Sequence, residues 1–193
     1  MNKIAFKGSC MLNPVPAVLV TSRNKSGKVN VFTAAWVGTV CTKPPMISIS
    51  IRPDRLSYEY IKETKEFSVN LPSSSMTRVL DFCGVKSGRN TDKIKACKFN
   101  LKDSTKINVP YIENCPVNLE CKVKNIIPLG SHHLFLSNIL SVNVDENVIS
   151  KNGKIHLEKA NLICYSHGEY FKISSKPSGK FGYSVKRNKY PPA

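Results

Sequence analysis

From residue 46 to residue 52 the chain reads Met-Ile-Ser-Ile-Ser-Ile-Arg, so that Ile47, Ile49 and Ile51 fall on one side of an extended backbone and Ser48, Ser50 and Arg52 on the other. The same two-residue period returns at 117–124, where Val117, Leu119, Cys121 and Val123 alternate with Asn118, Glu120, Lys122 and Lys124. A helix would scatter these residues around its circumference; a strand with one apolar side uses them all. The runs AVLVTS (17–22), KVNVFT (28–33), EFSVNL (66–71), HLFLSNILSVNV (133–144) and NLICYSH (161–167) add further strands, and RNKSGK between the first two reads as a hairpin turn. Helical signals are shorter: Ser57 stands as a cap before YEYIKET, Ser75 before MTRVLDF, and Thr91 or Asp92 before KIKACK. Strands in succession with short helices inserted between them predict a mainly β chain, an antiparallel barrel with short α insertions rather than a doubly wound sheet.

The 193 residues are enough for one domain with a substantial core. We expect that domain to span residues 1–175, with 176–193 forming a basic C-terminal tail or an arm laid across a neighbouring subunit. The amino terminus lacks the apolar run of a signal peptide, and no window approaches a membrane span, so a cytoplasmic protein without membrane contact is expected. Seven cysteines without tight pairing suit reduced thiols. Cys164 and His167, His132 and His133, and Cys115 and Cys121 are spaced suggestively, yet none completes a ligand set, and no metal is expected. The formal net charge of +16 invites a nucleic-acid reading. Its lysines are scattered along the whole chain and accompany no helix-turn-helix, zinc-finger or aromatic RNA-binding signature, which argues against that reading.

The polar side of the 46–52 strand carries two hydroxyls and a guanidinium in a row. Guanidinium groups match phosphate oxygens, and Arg55 and a helix opening at Ser57 would add to an anion cradle. Just upstream, Asn30 and Thr33 can hydrogen-bond a polar ring edge, Ala34, Ala35 and Gly38 leave room for a flat ring, and Trp36 can stand beside it. A phosphate joined to a flat heteroaromatic ring suggests flavin mononucleotide (FMN). The same residues also fit a tightly packed strand with an exposed polar face.

NVFTAAWVGTVCTKPPMISISIRPDRLSYEYI, EFSVNLP, DFCGVKSGRNTDK, CPVNLECKV, LGSHHLF and LICYSHGEYF follow one another in an order that resembles the flavoredoxin branch of the flavin reductase-like, FMN-binding split-barrel family. The resemblance covers nearly the whole chain. It implies a six-stranded antiparallel split barrel, a homodimer with FMN near the subunit interface, and redox chemistry carried by the flavin. It also implies that Asn30, Thr33, Ala34, Ala35 and Trp36 lie beside the flavin. Ser48, Ile49, Ser50 and Arg52 would reach the ring edge and ribityl phosphate, with Arg55 and Ser57 as further phosphate ligands. Cys83, Gly84 and Lys93 would be close to the ligand, and His167 would stand at the rim or on the partner's side of the ring.

With FMN bound, no side-chain nucleophile is required, because the isoalloxazine carries the electrons. A Gly-x-Gly-x-x-Gly fingerprint is missing from the sequence, so NADH or NADPH, as a transient donor, would have to stack on the flavin without a Rossmann domain. Two outcomes follow: a NAD(P)H-dependent flavin or ferric reductase, and an electron carrier meeting an acidic redox protein through its positive charge.

Overall fold

The computed structural model describes residues 1–185. The first strands are β1 (Val15–Pro16), β2 (Val18–Arg23), β3 (Val29–Ala34), β4 (Val37–Thr42) and β5 (Pro45–Ile51). Helix α1 (Leu56–Thr64), β6 (Glu66–Leu71), α2 (Thr77–Val85) and α3 (Lys93–Ala96) follow. The remainder comprises the short pair β7 (Leu101–Lys102) and β8 (Tyr111–Ile112), the long strands β9 (Val117–Pro128) and β10 (His133–Val144), and β11 (Ile163–Ser166) with β12 (Glu169–Lys172).

The main sheet runs β3-β2-β6-β9-β10-β5-β4, all antiparallel. Its two edge strands, β3 and β4, are consecutive in sequence and separated only by Ala35 and Trp36. The chain therefore leaves one edge of the sheet and joins the other, and the Ser50 N–H donates to the Trp36 carbonyl at 2.9 Å across the bend. With β3 and β4 taken as one bent strand, the barrel has the six expected strands. Inside it pack Val20, Phe32, Ile47, Ile49, Ile51, Phe67, Val69 and Phe135. Each such side chain removed from water contributes about 1.5–3 kcal/mol.

A second core lies outside the barrel wall, where Leu19 and Val31 of the sheet meet Leu80 and Cys83 of α2, together with Phe99, Ile112 and Ile163. β1, β11 and β12 form a separate small sheet. The β2–β3 turn is closed by the Asn24 N–H donating to the Lys28 carbonyl at 3.0 Å, with Gly27 at φ 88°, as the RNKSGK segment predicts.

The helix starts differ in part from expectation. Arg55, not Ser57, caps α1, and it offers no side-chain hydrogen bond; Ser57 is already inside the helix. Ser75 lies in a 3-10 turn at Ser74–Met76 that leads into α2. Asp92 does cap α3, its side chain accepting from the Lys95 N–H at 3.0 Å. β9 is not one-sided throughout: Lys122 and Lys124 are exposed, whereas Asn118 and Glu120 are buried. The segment around β7 and β8 covers them there, with Asn118 donating to the Ile112 carbonyl at 3.0 Å and Glu120 accepting from the Lys106 N–H at 2.7 Å.

Candidate functional site

Helix α1 closes one end of the barrel by placing Ser57, Tyr58 and Ile61 against it. Polar groups seal that end. Ser57 is fully buried, and its Oγ accepts from Ser22 Oγ and from Asn30 Nδ2, each at 2.9 Å. Asn30 is thereby fixed. The loop at Gly88 lies directly over it, so close that a methyl group there would sit 2.1 Å from Asn30 Oδ1. Glycine alone permits that approach.

Lys93 opens α3 and is almost wholly buried, donating to the carbonyls of Cys83 and Lys86 at 3.1 Å each. An ammonium group has three protons, so one donor is left. Burial holds the Lys93 pKa below the ordinary lysine value, and the positive charge of Arg55 acts in the same direction against an opposing contribution from Cys83. Among the described residues, neither Lys93 nor Arg55 is in an ion pair. Two neighbouring cations without a counter-ion are what a bound anion would stabilise. Lys93 and Asn30 line a cleft of about 430 Å³ together with Lys28, Gly88, Arg89 and Thr91; Asp92 is its one acidic lining residue, against three basic ones. Arg89 is held to Glu59 of α1 by two contacts, at 2.6 and 3.4 Å, which ties this loop to the helix.

A flatter surface adjoins the start of α1. On the outer face of the barrel Gly38 pairs with Ser48, Ser48 with Leu136, and Ser50 with Leu134. A methyl group at Gly38 would meet nothing within 4 Å, and Trp36 stands 39% exposed at the β3–β4 bend. The result is an open platform in which Gly38, Ser48 and Ser50 are flanked by Leu134 and Leu136 and bordered by an indole. The turn Arg52–Arg55, closed by the Arg55 N–H donating to the Arg52 carbonyl at 3.1 Å, links the end of β5 to the α1 N-terminus, whose first-turn amides have no side-chain cap.

Several residues expected beside a ligand take other places. Ala34 and Ile49 point into the barrel core, so only their main chains could meet one. Ser57 is enclosed with Ser22 and Asn30 and supports the cleft wall from behind. Cys83 lies in the outer core, presenting its carbonyl and not its thiol to Lys93. Gly84 serves close packing, since a methyl there would lie 3.3 Å from Thr33 Cβ, and the Thr33 hydroxyl donates to the Leu80 carbonyl. Arg52 is exposed and paired with Asp54 at 3.3 Å, outside any enclosed cradle. His167 occupies the β11–β12 turn at φ 49°, exposed, its N–H donating to Asn13 Oδ1 at 3.3 Å. Asn30, Ser48, Ser50, Ala35, Trp36, Arg55 and Lys93 remain on or beside the two surfaces. Lys28, Gly88, Arg89 and its anchor Glu59 were not anticipated; the polar, glycine-containing KSGRNTDK segment is the signal that marks the loop of Gly88 and Arg89.

Among the described residues no helix is long and apolar enough to cross a membrane. Comparison with known proteins bears on the same architecture. Residues 11–174 match the family model of the flavin reductase like domain. A protein of Archaeoglobus fulgidus is 31% identical over 164 residues, covering 85% of this chain and 90% of the relative. The structure is similar to flavoredoxin of Desulfovibrio vulgaris (Miyazaki F), with a TM-score of 0.89 at 26% identity, covering 96% of this chain and all of that one. An NADH:riboflavin 5'-phosphate oxidoreductase of Streptomyces pristinaespiralis is 24% identical over 131 residues, 68% of this chain and 72% of the relative. A barrel closed by one bent strand, with a cationic cleft at its α1 end, is here carried on a sequence that matches over most of its length: the chain belongs to the flavin reductase-like domain family.

Proposed function

We propose that this protein binds FMN and passes electrons through it, as a flavin or ferric reductase-like oxidoreductase fed by NADH or NADPH. The observation that carries this reading is the buried Lys93, which has no ion-pair partner among the described residues, feels the charge of Arg55 and lines a cleft with Lys28 and Arg89. Lys93, Arg55 and the first amides of α1 would hold the phosphate, Asn30 and Thr91 the ribityl chain, and Ser48, Ser50, Ala35 and Trp36 the ring. When bound, FMN supplies the electron-accepting ring; the chain binds it, orients it and excludes water on one side. NADH use is favoured by the Streptomyces relative, whose name states that chemistry.

Exposed Val40, Ile127 and Leu140 on β4, β9 and β10 support a homodimer, with His167 reaching the ring from the partner's side. The described part of the 176–193 tail is exposed and fits an arm across such a partner; residues 186–193 lie outside the described residues. A cytoplasmic location accords with the reduced cysteines.

The phosphate assignment is tested by titrating the protein with FMN and with riboflavin. FMN should bind about 10- to 100-fold more tightly, equivalent to the roughly 1.5–3 kcal/mol of a charge-assisted contact, and Lys93→Ala should abolish most of the difference. Equal affinity for the two flavins would remove the phosphate from this cleft.

The net charge of +16 favours a second reading, an FMN electron carrier that meets an acidic redox protein. Anaerobic mixing of the flavin-loaded protein with NADH or NADPH separates the two. Rapid bleaching identifies the reductase, and persistence of the oxidised flavin identifies the carrier.

A further inference from the structure

We propose that Cys83 and Cys97 form a reversible disulfide, and that closing it displaces the Lys93 corner of the cleft. Their Sγ atoms are 3.9 Å apart, bridging α2 to the C-terminal cap of α3. The two thiols are unequally placed. Cys83 is buried in the outer core, while Cys97 is half-buried and lines a separate groove of about 390 Å³ with Arg78, Phe82, Val85 and Lys86. A small reagent can therefore reach Cys97 from the surface, leaving Cys83 as the resolving thiol behind it.

Bond formation brings the sulfurs from 3.9 Å to about 2.05 Å, a movement shared between rotation of the two side chains and the backbone of two closely packed short helices. Lys93 is tied to both sides of that movement. It sits on the same turn as Cys97, whose N–H donates to its carbonyl at 3.0 Å, and its ammonium donates to the carbonyl of Cys83 itself. Drawing Cys97 toward Cys83 shifts the ammonium against the two carbonyls that hold it.

The oxidant is a small-molecule disulfide of the glutathione class. Cys97 loses its proton to solvent and attacks one oxidant sulfur; the oxidant's S–S bond breaks and one thiol leaves with a proton. Cys83, deprotonated in turn, attacks the Cys97 sulfur, the mixed S–S bond breaks, and the second thiol leaves. The protein gives up two protons and two electrons, and one oxidant disulfide becomes two thiols. Burial raises both thiol pKa values, that of Cys83 to about 12, with Lys93 opposing the rise.

The full chain would be equilibrated in glutathione buffers of increasing oxidised fraction, quenched by alkylation and mapped by mass spectrometry, with hydrogen exchange followed across residues 86–93. The expected result is a Cys83–Cys97 cross-linked peptide that dithiothreitol reverses. It should come with at least about twofold faster exchange of the 86–93 amides in the oxidised form, a change that Cys97→Ala and Cys97→Ser both eliminate. Glutathione uptake by exposed Cys10 with Cys83 and Cys97 still free would overturn the proposal. So would a cross-link that leaves exchange at 86–93 unaltered, since the corner would then not have moved. The wild-type measurements decide the matter even if a variant fails to fold. Any consequence for flavin affinity rests on the reading above, but neither measurement needs flavin, so one can fail without the other.

Discussion

Lys93 shows how little of a residue's role is visible in its type. In the sequence it is one lysine among many; in the fold it is buried, held by two carbonyls, and turned toward a cleft beside a second unpaired cation. Its lowered pKa gives a signed prediction. Phosphate binding requires the ammonium form, so FMN affinity should fall as pH rises through the Lys93 pKa, which lies below that of an ordinary lysine. Fluorescence titration of FMN across alkaline pH checks this, and in Lys93→Ala the fall should disappear. Arg52 illustrates the converse. Its place at the end of the Ile-Ser strand predicts a phosphate ligand, and in the fold it is exposed, with Asp54 at 3.3 Å as a weak, solvent-screened partner.

Among the elements, the loop between α2 and α3 and the strand β9 carry the sharpest consequences. Gly88→Ala puts a methyl group 2.1 Å from Asn30 Oδ1, and the loop must lift. Because the loop lines the cleft outside the barrel core, the variant should lose about tenfold or more in FMN affinity while its melting temperature falls by only a few degrees, as binding and thermal unfolding assays would show. Glu120 lies on β9, fully buried. Burial raises its pKa, but hydrogen bonds from Asn143 and from the amides of Thr105 and Lys106 outweigh that and leave it lowered. A lowered carboxyl contributes stability that is present above the unfolded value of ~4.3 and is lost as pH falls through the folded one. Glu120→Gln should therefore cost about 1–3 kcal/mol at neutral pH and flatten the acid side of a melting-temperature profile.

The strands were legible because the period-two pattern is local. Residues 66–71 and 133–144 match the observed β6 and β10 from end to end. What could not be read locally was which outer faces are covered. Asn118 and Glu120 look solvent-facing until the segment around β7 and β8 folds over them. The inward aim of Ala34, the enclosure of Ser57 and the withdrawal of the Cys83 thiol likewise depend on barrel closure and on α1 and α2 packing, whereas the inward aim of Ile49 follows from the Ile-Ser alternation itself. Gly88 and Arg89 gain their places only through contacts with Asn30 and Glu59, 58 and 30 residues away.

At the scale of the whole molecule, closure by the bent β3–β4 strand brings together groups distant in sequence. The bend exposes Trp36 above small residues, while α1 plugs the barrel end and sets its uncapped amides beside the cationic cleft. The positive charge of the whole chain adds long-range attraction for a phosphorylated ligand. All of this converges on one expectation, that the protein carries a flavin. The most direct measurement is the visible absorption spectrum of freshly purified protein, with mass identification of the compound released by heat. A yellow protein that releases FMN is the predicted result; a colourless protein that stays colourless after incubation with excess FMN and gel filtration would contradict it.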